Sequence, residues 1–136
     1  MPIDIRLDHL QIVRDILKQH VPNHKVMVFG SRAKFTAKHT SDLDLCIMGN
    51  APLSLSLLGH LRDDFSESNL PYKVDLVDWY DLDNVFKKIV KRDMQLIQRK
   101  FIAKSSYVVH DIESTGYFSR TSWSRLLINS FLTIHI

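Results

Sequence analysis

The segment GSRAKFTAKHTSDLDL, residues 30–45, holds the residue types that phosphate chemistry calls for. A short apolar run stopped by Gly30-Ser31 and followed by a helix start lets the main chain approach an anion. Glycine has no Cβ, and the first N–H groups of a helix lack internal acceptors. The Ser31 hydroxyl adds a hydrogen bond, and Arg32 and Lys34 are nearby cations. Further on, Asp42 and Asp44 stand at i and i+2 on an alternating stretch, so both project from one face. Two such acids repel each other unless a cation lies between them. Their oxygen ligands suit magnesium, which takes one or two carboxylates together with substrate phosphates.

Taken alone, an Asp-x-Asp pair reads better as a turn cap followed by a solvated acid. Asp75 shifts that balance. It lies mid-strand between Val74 and Leu76, where a charge is costly unless it is paired or bound to metal. Three carboxylates around two magnesium ions about 3.5–4 Å apart form a clamp for in-line phosphoryl displacement. Asp78 faces the opposite way at the strand end and reads as a cap or surface acid.

The elements that must position these residues follow from periodicity. Leu10, Val13, Ile16 and Leu17 recur at helical spacing, which predicts a helix near residues 6–20 that Pro22-Asn23 ends. Val26 to Phe29 reads as a buried strand, Ser31 to Lys38 as a short helix or turn, and Asp42 to Met48 as a strand. Leu55, Leu58, Leu61 and Phe65 make the stripe of a helix whose first turn suits Pro52. Tyr72 to Asp78 is a further strand. Asp81 or Asp83 can cap a last helix with Val85, Phe86, Ile89 and Val90 on its core side. Strands alternating with helices predict an α/β (α+β) domain with a sheet of three or more strands.

Composition bounds the function. The chain has 136 residues, about the size of one domain, and 45% of them are apolar. The net charge is only +3 and the basic residues are scattered, which argues against nucleic acid as the primary partner. The single Cys46 excludes an internal disulfide and a thiolate zinc cluster. No signal peptide is visible, and the apolar stretch near Leu126 to Ile136 is too short and interrupted to span a bilayer. A cytoplasmic protein without a membrane role is the expectation. Residues 1–102 read as the catalytic domain. Residues 103–136, with seven serines and only Asp111 and Glu113 as acids, read as an atypical extension that packs on the domain, covers a partner or is accidental.

Gly-Ser, ten residues, Asp-x-Asp and a later strand aspartate together resemble the DNA polymerase β-like nucleotidyltransferases, and within them the minimal nucleotidyltransferases. The resemblance covers roughly residues 5–100. It implies a polymerase β-like fold with a small mixed sheet flanked by helices. It further implies that Asp42 and Asp44 coordinate two magnesium ions, that Asp75 ligates the catalytic metal and helps deprotonate the acceptor hydroxyl, and that Gly30 and Ser31, with Arg32 beside them, hold the triphosphate. The implied reaction moves AMP from ATP to a hydroxyl, releasing pyrophosphate. The implied partner is a HEPN-domain toxin, which family members modify on a tyrosine in the role of antitoxin, in some oligomer with it. Two alternatives stand beside this: an idle antitoxin that neutralises by contact, and a transferase acting on small molecules. Similar proteins usually carry glycine where this chain has Phe35, at a helix end that often needs a left-handed backbone. Phe35 either shifts that loop or lines the nucleotide pocket.

Other signals are weaker. His20 and His24 have an i, i+4 spacing, but Pro22 interrupts the helix between them and nothing completes a zinc set. His39 reads as a surface loop residue and Cys46 as core.

Overall fold

In the computed structural model, residues 3–101 are described; the expectations about residues 103–136 lie outside them. Helix α1 (Leu7–His20) leads into strand β1 (Lys25–Phe29), the single-turn helix α2 (Ser31–Lys34) and strand β2 (Leu43–Met48). Helix α3 (Leu55–Ser66), strand β3 (Val74–Asp78), a 3-10 turn (Trp79–Asp81), helix α4 (Asn84–Asp93) and strand β4 (Gln95–Gln98) follow. The sheet order is β3-β2-β1-β4. β1 runs antiparallel to β2 and β4, while β2 and β3 are parallel, so the sheet is mixed as expected.

Alternation divides the sheet into two faces. Val26, Val28, Leu43, Leu45, Ile47, Leu76 and Ile97 face Val13 and Leu17 of α1 and Leu58, Leu61 and Phe65 of α3. This side is the main core. On the other face, Phe29, Cys46 and Val90 form a smaller cluster, with Val77, Trp79 and Met94 around it. Asp44 and Asp75 belong by alternation to this second, more thinly covered face, and Asp42 stands just before β2.

Local chemistry fixes the helix ends. The Ser54 hydroxyl accepts from Leu57 N at 3.1 Å, so α3 starts after Pro52 rather than on it. Asp83, one of the two caps expected for α4, accepts from Phe86 N at 2.8 Å. Asp78 is buried and accepts from Leu53 N at 2.8 Å and Tyr80 N at 3.0 Å, a capping role that joins the two loops.

Two expectations need correction. Of the supposed core side of α4, only Val90 is buried; Val85 and Ile89 are exposed, and Phe86 touches Phe29 edge-on. The helix meets the sheet through Phe86 and Val90 alone of these four, so apolar spacing overstated the packed face. Strand β4 was not expected, because Gln95-Leu96-Ile97-Gln98 has one fully apolar-facing position, Ile97, and glutamines at both ends. Gln98 nevertheless donates to the carbonyls of Val21 and His24, both at 2.9 Å, and ties the strand to the end of α1.

Candidate active site

Parallel pairing sets Asp44 directly beside Asp75 in the β2–β3 register. Adjacent strands lie about 4.8 Å apart, so the two carboxylates are neighbours on one face. Asp42 stands immediately before β2, and its charge acts on Asp44. The Asp44 carboxyl is pushed up to about 6, first by burial and then by repulsion from Asp75 and Asp42, with Lys73 opposing. This is the electrostatic signature of acids gathered where a cation is wanted.

On its other side Asp44 pairs with Phe29, the last residue of β1, so its side chain lies against Gly30. A Cβ at Gly30 would collide with Asp44 Oδ2. Gly30 also adopts φ 76°, ψ −155°, a region open essentially only to glycine. Both facts demand glycine here. Ser31 opens α2, whose first N–H groups lie outside the helical hydrogen-bond ladder. The Gly-Ser corner therefore stands beside Asp44.

Phe35 ends α2 with φ 60°, ψ 37°, the left-handed conformation that the comparison with glycine-bearing proteins anticipated. The loop keeps that backbone, and the ring is 56% exposed. Phe35 N donates back to Ser31 O, so the turn closes despite the side chain.

Arg32 departs from expectation. Its residue is 5% exposed, and its guanidinium is spent on main-chain carbonyls. Nε and Nη2 donate to Ser41 O at 3.1 and 2.9 Å, Nη1 to Asp4 O at 3.0 Å, and Nη2 to Lys38 and His39 carbonyls at 3.3 and 3.2 Å. The guanidinium also lies 4.0 Å from the centre of the Tyr72 ring. It fixes the loop that leads into Asp42 and leans on the segment that leads into Asp75. A planar, five-donor cation can make this many bonds at once; a lysine cannot. Arg32 is thus a strut of the site rather than a phosphate ligand.

Among the described residues, no three His, Cys, Asp or Glu side chains converge into a ready-made metal site. The structure brings Asp44 and Asp75 together and sets Asp42 at the entrance to the same strand. Lys73, which sequence reasoning passed over, joins this group. Its ammonium lies 3.2 Å from Asp75 Oδ1. The signal was legible, since Lys73 and Asp75 alternate onto one face of β3. His39 is exposed and contributes its carbonyl to Arg32, as a loop residue would. Cys46 is buried with its thiol pushed up to about 12, first by burial and then by Asp78, which makes it unreactive core.

A family model described as polymerase beta, nucleotidyltransferase matches residues 11–101. The chain belongs to this nucleotidyltransferase family. It is 44% identical over 98 residues to the probable protein adenylyltransferase MntA of Haemophilus influenzae, covering 72% of this chain and 86% of that one. A putative protein adenylyltransferase of Methanocaldococcus jannaschii is 34% identical over 82 residues, covering 60% of this chain and 83% of that one. Among solved structures, a toxin-antitoxin with AMP-PNP matches with TM-score 0.58 at 18% identity, covering 91% of this chain and 98% of that one. A tri-AMPylated Shewanella oneidensis HEPN toxin in complex with MNT antitoxin matches with TM-score 0.55 at 15% identity, covering 96% of each. These likenesses bear out the minimal nucleotidyltransferase resemblance and its fold. No helix among the described residues is long and apolar enough to cross a membrane.

Proposed function

We propose that this nucleotidyltransferase moves AMP from ATP to a tyrosine hydroxyl of a HEPN-domain partner in the cytoplasm, and acts as that partner's antitoxin. The observation that carries the reading is Asp44 beside Asp75 in register, with Asp42 two residues before Asp44 and the glycine-only Gly30 against it. The 44% identity to a probable protein adenylyltransferase supports the acceptor class.

The donor set fits magnesium carried in by a nucleotide better than bare metal. The raised Asp44 carboxyl and its acidic neighbours supply oxygen ligands that repel one another until a cation arrives. Magnesium takes a few carboxylates and completes its shell with phosphate and water. When bound, it would neutralise charge on the phosphates and on the attacking and leaving oxygens. Asp42, Asp44 and Asp75 would hold it. Gly30 and Ser31 would accept the triphosphate through main-chain N–H groups and the Ser31 hydroxyl. Asp75 would receive the acceptor proton as the acceptor oxygen bonds to the α-phosphorus; the bond to the bridging oxygen breaks and pyrophosphate leaves. Lys73 would be released from Asp75 as the site fills and would face the phosphates as a free cation. Arg32 would keep Asp42 in place throughout.

A second reading has one observation in its favour: the Lys73–Asp75 ion pair already neutralises one of the acids. In that reading the chain is an idle antitoxin that works by contact. The deciding experiment combines the protein, a HEPN-domain partner, ATP and magnesium, and weighs the products. A partner heavier by one adenylyl group, lost with Asp44→Asn, upholds transfer. A tight complex with unchanged masses upholds contact, and label on a small hydroxyl compound would favour the third, small-molecule alternative.

A further inference from the structure

β3 is an edge strand: among the described residues no strand lies outside it. The bond from Leu43 N to Lys73 O, 2.9 Å, fixes which of its main-chain groups face inward. Successive residues of an extended strand point their N–H and C=O groups to opposite sides, and the parallel register agrees with this bond. Lys73, Asp75 and Val77 therefore bond toward β2, while Val74 and Leu76 present theirs outward. A cavity of about 610 Å³ runs along this edge, between Arg62 and Phe65 of α3 and residues Lys73 to Leu76. Arg62 is exposed and makes no ion pair among the described residues. An open strand edge is ordinarily blunted because it invites another chain to pair. Here it borders the acid that would take the acceptor proton.

We propose that the acceptor polypeptide docks as an added extended strand on the outer edge of β3. The docking rests on the adenylyl-transfer reading for its purpose, though not for its geometry. Main-chain groups of the incoming segment bond to Val74 and Leu76, the mode in which an exposed sheet edge gives affinity and flanking pockets give selectivity. One residue of that segment then continues the row Asp44–Asp75 across the sheet. Its hydroxyl side chain rises on the Asp75 face, one strand spacing of about 4.8 Å away. A carboxylate in the same segment, from an acidic side chain or its own C-terminus, meets Arg62. A small hydroxylated metabolite has no such ladder to offer. The edge thus selects for protein as acceptor.

Amide hydrogen exchange of the whole chain, followed residue by residue with and without the HEPN-domain protein, tests the docking directly. The Val74 and Leu76 amides should slow at least about tenfold when the partner is added, while the Asp75 amide, already bonded to β2, changes little. Unchanged exchange at Val74 and Leu76 in a mixture that forms a complex overturns the proposal. So does slowing that grows with the concentration of this chain alone, which would mark edge-to-edge pairing of two copies. Val74→Pro removes an outward N–H, a change that edge strands tolerate, and trims a side chain that packs at the margin of the main core. It should lower adenylyl transfer to the partner about tenfold while leaving Mg·AMP-PNP binding as in wild type, with a cooperative melt at somewhat lower temperature showing that the variant is folded. Transfer at the wild-type rate in a folded Val74→Pro overturns the proposal as well. Should wild type neither bind Mg·AMP-PNP nor label the partner, the transfer reading fails, and the exchange pattern still decides the docking.

Discussion

Asp44→Asn should make the metal-free protein more stable at neutral pH while abolishing transfer. The Asp44 carboxyl sits at about 6, against an ordinary 3.8, because burial and the charges of Asp75 and Asp42 disfavour its ionised form. A raised acid costs the folded state nothing while it is protonated in both states. The cost grows as pH climbs from 3.8 toward 6 and stays constant above. A difference of roughly two units, at about 1.36 kcal/mol each, caps the penalty near 3 kcal/mol. The side chain is only partly buried, so screening by solvent reduces this to about 1–1.5 kcal/mol. For a folded unit of about 100 residues that is a gain of roughly 4–10 °C in melting temperature for the asparagine variant. The assay is thermal unfolding of both proteins in EDTA across the acid-to-neutral range. The two curves should converge below the ordinary carboxylate range and separate through the Asp44 titration. Adding Mg·AMP-PNP should then reverse the order, since only wild type gains binding energy, about 2.7 kcal/mol at a hundredfold excess over Kd. An asparagine variant less stable than wild type at neutral pH would refute the claim that these acids repel one another.

Other substitutions read other parts of the site. Gly30→Ala forces a Cβ toward Asp44 Oδ2 and a backbone region closed to alanine; it should cost about 1–3 kcal/mol in denaturant unfolding and remove transfer. Phe35→Gly relieves a left-handed phenylalanine at φ 60°; it should stabilise the chain by about 0.5–1 kcal/mol, since the relief of 1–2 kcal/mol is partly offset by a looser unfolded chain, with Mg·AMP-PNP affinity unchanged. Arg32→Lys leaves the loop carbonyls of Lys38, His39 and Ser41 short of donors; it should lower melting by about 1–3 kcal/mol of stability and weaken magnesium dependence more than ATP affinity, which titration at fixed nucleotide would read out.

How much of this could be read in the sequence depended on whether side chains or main-chain atoms carry the interaction. Strand alternation put Asp44 and Asp75 each opposite its strand's core residues, and the register sets the two side by side; the left-handed turn at Phe35 was anticipated from the glycine that similar proteins carry there. Arg32 could not be placed, because its partners are carbonyl oxygens, which every residue possesses and no motif records. Lys73 was visible but unremarked, since a lysine two residues before an acid is ordinary on any solvated strand. β4 escaped because one buried isoleucine between glutamines makes no period, and its pairing is decided by β1. On α4, the apolar spacing was read correctly as a helix but not as one whose outer residues Val85 and Ile89 stay exposed, because spacing does not tell how far a helix leans over the sheet.

The most direct test of the trio Asp42, Asp44 and Asp75 is a crystal structure of this chain with Mg·AMP-PNP. Oxygens of Asp44 and Asp75 should lie within about 2.0–2.1 Å of magnesium, with the triphosphate against Gly30 and Ser31 and Lys73 withdrawn from Asp75. Nucleotide bound with magnesium held by phosphates alone, and Lys73 still on Asp75, would contradict the account.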